Sequence, residues 1–216
     1  NLLFHAGLAD VETTLHDLLV EDPDLPVEDA AYERYGLSVV PCGTSLAGFS
    51  AARPERLRDV VAELAADTDV ILLDSPAALG SKSAVLPIVL ADRTITVLQP
   101  TVPALSDGLK VREYARSYGT GGAGVLFNRV TDQGAVERVA DSSDRYFDGP
   151  VLGVVPESEA VRAAREAGKP LLAHAPDSAA AAAYREAART VTVDAGEAAA
   201  DAVADRFASA VVPDPP

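Results

Sequence analysis

An aspartate at the end of an apolar run is the first residue of this sequence that could do chemistry. The run is Asp69-Val-Ile-Leu-Leu-Asp74, and Ser75-Pro76 follows it. Consecutive β-branched and leucine residues predict a strand buried on both faces, and proline cannot continue a central strand. Asp74 would then lie at the carboxyl end of a strand, where open α/β sheets bind ligands. A carboxylate there can hold Mg²⁺ through water, or it can simply cap a turn with Ser75.

Two further polar segments follow predicted strands downstream. Asn128-Arg129 ends one strand, and the Asn128 amide offers a donor and an acceptor side by side, which matches an adenine edge. Pro156-Glu157 ends another strand, where exposed backbone could line a base pocket. The structural alternatives are a turn-forming Asn and an ordinary strand-to-helix loop in which Ser158 caps the next helix.

Other candidate motifs are weaker. The stretch Gly119-Thr-Gly-Gly-Ala-Gly124 matches GxGxxG, but it follows a predicted helix and leads into a strand, the reverse of a dinucleotide-binding loop. The histidines have no ligand-like spacing, and we interpret them as structural or surface residues. The single cysteine, Cys42, excludes an internal disulfide and a CxxC pair, and we expect it to be buried.

The elements that would position these residues alternate along the chain. Strands are predicted at residues 37–41, 69–74, 94–98, 124–128 and 151–155, and helices at 54–66, 83–90, 104–114, 159–167 and 179–193. This alternation predicts an α/β fold: a doubly wound, mostly parallel sheet with helices on both faces. We predict one domain over residues 1–193 and an acidic, Ala-rich helix and tail over residues 194–216.

The composition restricts the partners. With 33 acidic and 18 basic residues, the net charge of −15 opposes direct contact with nucleic acid or an anionic membrane. Abundant Asp and Ala, with lysine only at Lys82, Lys110 and Lys169, favour adaptation to high salt over an ordinary acidic composition. We find no apolar run long enough to span a membrane and no signal peptide, which predicts a cytoplasmic protein. Because the 216 residues include no methionine, we also expect a segment upstream of Asn1.

In their order and spacing, these segments resemble the MinD/ParA family of P-loop ATPases, with the MinD branch most similar. Asn1-Leu-Leu-Phe-His-Ala-Gly-Leu8 is similar to the family's switch I segment, and Thr14-Leu-His-Asp-Leu-Leu19 is similar to the helix after it. Residues 37–46 resemble its next strand and loop, and Asp74-Ser-Pro-Ala77 resembles its Walker B and switch II entry. Residues 100–107 and 168–170 resemble two later segments.

The resemblance implies ATP and Mg²⁺ as cofactors, with Asp74 in the Mg²⁺ shell. It implies that Asn1, in switch I, lies near the phosphates as a catalytic residue. Residues 75–77 would relay the nucleotide state to an ATP-dependent homodimer, and the family uses that cycle to position division or polar machinery. The implied contacts to adenine and its surroundings are Asn128, Arg129, Pro156 and Glu157.

The sequence departs from the family in two respects. The deviant Walker A motif is absent from the 216 residues, and the family's order would put it upstream of Asn1. We therefore expect the intact protein to hydrolyse ATP, and the 216-residue chain not to. The acidic tail also lacks a basic membrane-binding face, so any association with the membrane or a cell pole would run through an unknown regulatory partner. The alternatives are a nucleotide-free scaffold with the same fold and an iron–sulfur carrier, for which paired cysteines are missing.

Overall fold

The computed structural model describes residues 2–20, 25–76, 82–140 and 143–193. Three of the predictions fall elsewhere: the switch I role of Asn1, the relay role of Ala77, and the helix within residues 194–216. These positions lie outside the described residues, and the statements about them stay predictions.

Strands and helices alternate through most of the described chain. The strands are β1 (Tyr32–Arg34), β2 (Leu37–Val39), β3 (Arg93–Leu98), β4 (Gly121–Val130) and β5 (Val151–Pro156). The α-helices are α1 (Leu2–His5), α2 (Leu15–Leu18), α3 (Leu46–Ala51), α4 (Leu57–Ala65), α5 (Lys82–Leu90), α6 (Val102–Ser117), α7 (Gln133–Ala140), α8 (Ser143–Phe147), α9 (Glu159–Glu166), α10 (Leu171–His174) and α11 (Ala179–Thr190). Short 3-10 helices span Val27–Ala30 and Pro54–Arg56. Over the described ranges, no helix combines the length and the apolar character needed to cross a bilayer.

The centre of the fold is a parallel sheet in which β4 lies between β3 and β5. On one face, Val125 and Phe127 of β4 belong to an apolar cluster with Phe147 of α8. On the other face, Leu126 packs with Ala180 and residues near it on α11. Because helices cover both faces, the buried residues of β4 are consecutive and do not alternate with exposed ones. The predicted parallel α/β sheet with helices on both faces is confirmed.

Helix α5 forms although Pro87 lies in its interior. An interior proline removes one backbone hydrogen bond and costs a helix about 3 kcal/mol. Residues 84–90 are all buried, so nearly every side of the helix contacts protein. Packing therefore outweighs the local penalty, and the helix predicted at residues 83–90 is confirmed.

Two predicted strands of the N-terminal half differ in the structure. The strand predicted at residues 37–41 is β2, but it pairs antiparallel with β1 in a hairpin and does not join the parallel sheet. The turn between them has positive φ at Tyr35 (55°) and Gly36 (79°), as a tight hairpin requires. The apolar residues of this segment predicted strand β2 correctly, but the turn determines that β2 pairs with β1.

The prediction of a doubly buried strand at residues 69–74 is wrong. Ile71 and Leu73 pack against the cluster of Val61 and Leu90. By contrast, Val70 and Leu72 on the opposite side are 48% and 81% exposed. No strand of the described ranges pairs with this segment, so only one of its faces is covered.

An ion pair ties α6 to the turn before β5. Nε and Nη2 of Arg112 donate to the two carboxylate oxygens of Asp148 at 2.9 and 2.8 Å. The two side chains are 20% and 28% exposed. The hydrogen bonds from Arg112 hold the pKa of Asp148 below its ordinary value of 3.8. This bidentate pair stabilises the turn that leads into β5.

We expect Asp148→Asn to lower the free energy of unfolding at neutral pH by about 1 kcal/mol, or roughly 3 °C in Tm. Asn tolerates the positive φ of 55° at this position, so the change removes the charge and keeps the backbone. Because the folded pKa is lowered, the pair contributes fully above the unfolded pKa and is lost as pH falls through the folded pKa. Thermal unfolding of both proteins from pH 7 to pH 2 should show the difference shrinking toward the acid end.

The matched control for this change is Asp107→Asn. Asp107 forms an exposed pair with Lys110 at 2.8 Å, and exposed pairs contribute little. A Tm loss for Asp107→Asn equal to that for Asp148→Asn would contradict the special contribution of the Arg112–Asp148 pair.

Candidate functional site

A cleft of about 320 Å³ lies where the three parallel strands end. This volume is at the small end of ligand pockets, which suits one ring system of a larger ligand. The lining combines the segment after β3, the end of β4 with the start of α7, and the end of β5. These residues are Gln99, Pro100, Thr101, Arg129, Thr131, Asp132, Ala135 and Glu157.

A β-bulge shapes the wall that β4 contributes. Phe127 pairs with Val154 and Val130 pairs with Pro156, so Asn128 and Arg129 together oppose one residue of β5. Such a bulge re-aims side chains at the end of a strand. Arg129 has a φ of 54°, in the left-handed region that non-glycine residues seldom adopt. The strand therefore ends by turning Arg129 into the cleft.

Asn128 supports this unusual backbone. Its Oδ1 accepts a hydrogen bond from the Arg129 N–H at 2.9 Å, and the residue is half-buried. Asn128 itself does not line the cleft, although its neighbour does. The N–H groups of Nδ2 stay available to a ligand, whereas Oδ1 already accepts one hydrogen bond. The amide therefore offers chiefly a donor to any further ligand.

Arg129 and Glu157 join the ends of β4 and β5 across the cleft. Nη2 of Arg129 donates to Oε1 of Glu157 at 3.3 Å, and the side chains are 65% and 49% exposed. The backbone N–H of Glu157 donates to the carbonyl of Val130 at 3.1 Å, which fixes the loop after β5. Ser158 then caps α9 by accepting from the N–H of Ala160, as predicted.

The structure thus brings together two of the predicted adenine-site residues, Arg129 and Glu157, in one cleft. Asn128 and Pro156 stand beside it in the sequence but are not among its lining residues. Gln99 and Asp132 also line the cleft, although neither was predicted as a site residue. Their positions could have indicated them, because Gln99 directly follows β3 and Asp132 follows β4, at the same edge of the sheet.

Asp74 lies outside this cleft, on the exposed part of the extended segment at residues 69–76. The hydroxyl of Ser75 donates to the carbonyl of Ala84 at 2.9 Å, which ties the segment to α5. The charge of Asp74 also acts on Cys42, in the loop before α3. Desolvation by neighbouring protein atoms raises the pKa of the Cys42 thiol, and the charge of Asp74 raises it further.

Cys42 itself is exposed, so the expectation that it is buried is wrong. It lies in the loop between β2 and α3, and the burial of the hairpin stops at Val39 and Pro41. The residue type of Cys42 could not predict its exposure, because exposure depends on which elements cover the loop.

The described residues include no group of three or more His, Cys, Asp or Glu side chains that could hold a metal ion. Mg²⁺ in nucleotide sites keeps several waters and takes one or two carboxylates together with the phosphates. A single carboxylate such as Asp74 fits that mode of binding, and it does not fit a site built entirely from protein ligands.

Comparison with known proteins identifies the family. The family of 4Fe-4S iron sulfur cluster binding proteins of NifH/frxC type matches residues 12–207. An uncharacterized ATP-binding protein of Methanocaldococcus jannaschii is 34% identical over 169 residues, which are 78% of this chain and 62% of that protein. The chain thus spans less than two thirds of the length of this curated relative.

Two solved structures share the fold. The cell division ATPase MinD of Pyrococcus furiosus matches 88% of this chain and 79% of its own, with a TM-score of 0.78 and 28% identity. The septum site-determining protein MinD of Pyrococcus horikoshii, complexed with Mg-ADP, matches 87% of this chain and 76% of its own, with a TM-score of 0.75 and 30% identity.

The residues present do not fit the iron–sulfur cluster in the family's description. A 4Fe-4S cluster is held by four cysteine thiolates, and the sequence contains only Cys42. Even two copies of these 216 residues would supply half of the ligands. The two solved structures described above, which share the fold, are MinD proteins. The chain belongs to the NifH/MinD/ParA-type family of P-loop ATPases and has a MinD-like α/β fold.

Proposed function

We propose that this protein is a MinD-like ATPase that binds ATP with Mg²⁺ and acts as a spatial regulator of division or polar machinery. The observation that carries the proposal is the cleft at the carboxyl edge of β3, β4 and β5. It has room for one ring system, and its walls include Arg129 and Glu157. The Mg-ADP complex of the Pyrococcus horikoshii relative supports the same class of ligand.

The proposed roles follow from the chemistry of each group. Asn128 donates from Nδ2 to a ring nitrogen of adenine, while its Oδ1 keeps the bond to the backbone of Arg129. Pro156 and Glu157 contribute mainly backbone to the base pocket. Asp74 holds Mg²⁺ through water, and Asn1 lies near the phosphates. Residues 75–77 pass the nucleotide state to the face of a homodimer.

Two physical conditions accompany this proposal. The chain carries a net charge of −15, which repels an anionic nucleotide unless salt screens it. We therefore propose that the protein works in high salt, and binding is best measured at molar KCl.

The described residues also include no Walker A loop, and the backbone donors and lysine of such a loop are what hold the phosphates.

The test is equilibrium binding of ATP to the full gene product, by calorimetry with Mg²⁺ in molar KCl. We expect Asn128→Ala and Asn128→Asp both to weaken ATP binding by about ten-fold, since each removes the Nδ2 donor. Asn128→Asp retains an oxygen that accepts the Arg129 N–H, so its Tm should stay close to that of the unchanged protein. Uncharged adenosine, titrated in parallel, separates loss of the donor from repulsion by the new charge.

The outcomes separate the two candidate functions. If the full gene product binds no ATP at any salt concentration, the ATPase is excluded and a nucleotide-free scaffold with this fold is supported. The scaffold is a second candidate because the 216 residues contain no Walker A sequence. Binding that Asn128→Asp leaves intact would instead overturn the base-reading role of Asn128.

A further inference from the structure

Helix α1 ends in a turn that is built around a glycine. The N–H of Gly7 donates to the carbonyl of Phe4 at 3.2 Å. The N–H of Leu8 donates to the carbonyl of Leu3 at 2.8 Å. These two hydrogen bonds, with a φ of 66° at Gly7, form a Schellman motif. The side chains of Leu3 and Leu8 share one apolar cluster, which stabilises the end of the helix.

Helix α9 ends in the same way. The N–H of Gly168 donates to the carbonyl of Arg165 at 3.1 Å. The N–H of Lys169 donates to the carbonyl of Ala164 at 3.0 Å. With a φ of 60° at Gly168, this turn is also a Schellman motif. The two helices therefore have the same backbone conformation at their carboxyl ends.

These two glycine turns contact each other. A Cβ added to Gly7 would lie 3.3 Å from the carbonyl oxygen of Gly168. A Cβ added to Gly168 would lie 3.4 Å from the carbonyl oxygen of Phe4. Both oxygens belong to the backbone, so they cannot rotate away as the end of a side chain could. The close approach of α1 to α9 therefore depends on the absence of a side chain at both positions.

The amino ends of the two helices lead to two parts of the proposed site. Helix α9 begins at Glu159, just after the cleft-lining Glu157, and its eight residues span about 12 Å. Helix α1 begins at Leu2, directly after Asn1, which is proposed to lie near the phosphates. The glycine contact therefore fixes α1 against a helix that starts at the cleft.

We propose that Gly7 and Gly168 form a positioning contact for ATP hydrolysis, because they hold α1 and the segment before it in place beside the phosphates. This inference rests on the proposed ATPase function, and neither glycine touches the nucleotide. Loss of the contact shifts α1, whereas the residues that line the cleft are unchanged. Because the chemical step depends on exact placement of the reacting groups, hydrolysis slows more than nucleotide binding weakens.

The test is steady-state phosphate release by the full gene product with Mg²⁺ in molar KCl, measured against ATP concentration. Asn tolerates a left-handed φ, so Gly7→Asn and Gly168→Asn add a side chain with little backbone strain. We expect each change to lower kcat about ten-fold and to alter KM by less than about two-fold. If neither Asn variant folds, Gly7→Ala adds a single carbon at the same contact, and kcat should fall about three-fold with KM retained.

The double variant Gly7→Asn/Gly168→Asn tests whether the two glycines act together. Either single change already opens the contact, so the double variant should lose little more kcat than each single variant does. A loss equal to the product of the two single losses would mean that the glycines act separately, and it would overturn the paired role.

Gly119→Asn is the matched control. Gly119 also has a positive φ, at 77°, but nothing lies within 4 Å of an added Cβ, so kcat and KM should both stay within about two-fold. Equal kcat losses in this control, or a rise in KM that matches the loss of kcat, would overturn the positioning role. Unchanged kcat in both contact variants would do the same. An unmodified protein that releases no phosphate would contradict the proposed ATPase, and this inference with it, which distinguishes the two failures.

Discussion

Asp74→Ala is expected to reduce Mg²⁺-dependent ATP hydrolysis by the full gene product roughly 100-fold, because an outer-sphere metal ligand contributes on that scale. The carboxylate lies on an exposed segment, and the described residues offer no alternative group of metal ligands around it. Steady-state phosphate release, measured against Mg²⁺ concentration, checks this. The loss should be partly recovered at high Mg²⁺, since weaker binding is compensated by mass action.

Asp69→Ala is the control, because Asp69 lies at the other end of the same exposed segment. It should retain turnover within about two-fold, as surface substitutions away from a site usually do. If both variants lose turnover equally, the segment matters for folding or assembly, and the Mg²⁺ role of Asp74 is refuted. Full activity in Asp74→Ala leads to the same rejection.

Gly124→Ala is expected to lower the free energy of unfolding by about 4 kcal/mol, which corresponds to roughly 10 °C in Tm. Gly124 has a φ of 131° in the middle of β4. An added Cβ would collide with the carbonyl oxygen of Pro150 and come within 2.9 Å of Leu152 Cγ. The neighbouring N–H of Val125 donates to that same carbonyl at 3.0 Å, so the methyl group would separate β4 from β5.

Two glycines nearby separate strain from collision. Gly119 also has positive φ, at 77°, but nothing lies within 4 Å of an added Cβ, so alanine should cost only about 1 kcal/mol there. At Gly121 the nearest atom is 3.9 Å away and alanine should be almost neutral. Urea unfolding of the three variants measures the differences. A Gly124→Ala protein no less stable than Gly119→Ala would mean that β4 and β5 can move apart at little cost.

The parallel sheet could be predicted because each of its strands is a local apolar run separated from the next by a helical pattern. The segment at residues 69–74 has a similar run, yet Leu72 is 81% exposed. A continuous apolar run indicates that a segment can be buried on both faces, but neighbours from elsewhere in the chain decide whether it is. The hairpin partner of β2 escaped prediction because that strand, β1, consists of Tyr32, Glu33 and Arg34 and so has no apolar run.

The position of the cleft could also be predicted, because the ends of neighbouring parallel strands meet at one edge of the sheet. Its internal geometry could not. The bulge at Asn128 and Arg129 depends on the register between β4 and β5, which no local pattern specifies. The expected pairing of Asn128 with adenine ignored the backbone N–H that its oxygen already accepts. This competition between the backbone and a ligand for the Asn128 oxygen can be seen only once the backbone conformation is known.

The exposed Cys42 has a practical consequence. As the one thiol in the sequence, it accepts a maleimide dye or spin label without any engineered change. Its pKa is raised by desolvation and by the charge of Asp74, so the fraction present as thiolate depends on that carboxylate. A cation that gathers near Asp74 would increase this fraction, and the rate of alkylation would report its arrival. The chain thus carries its own chemical probe, whose reactivity the carboxylate lowers.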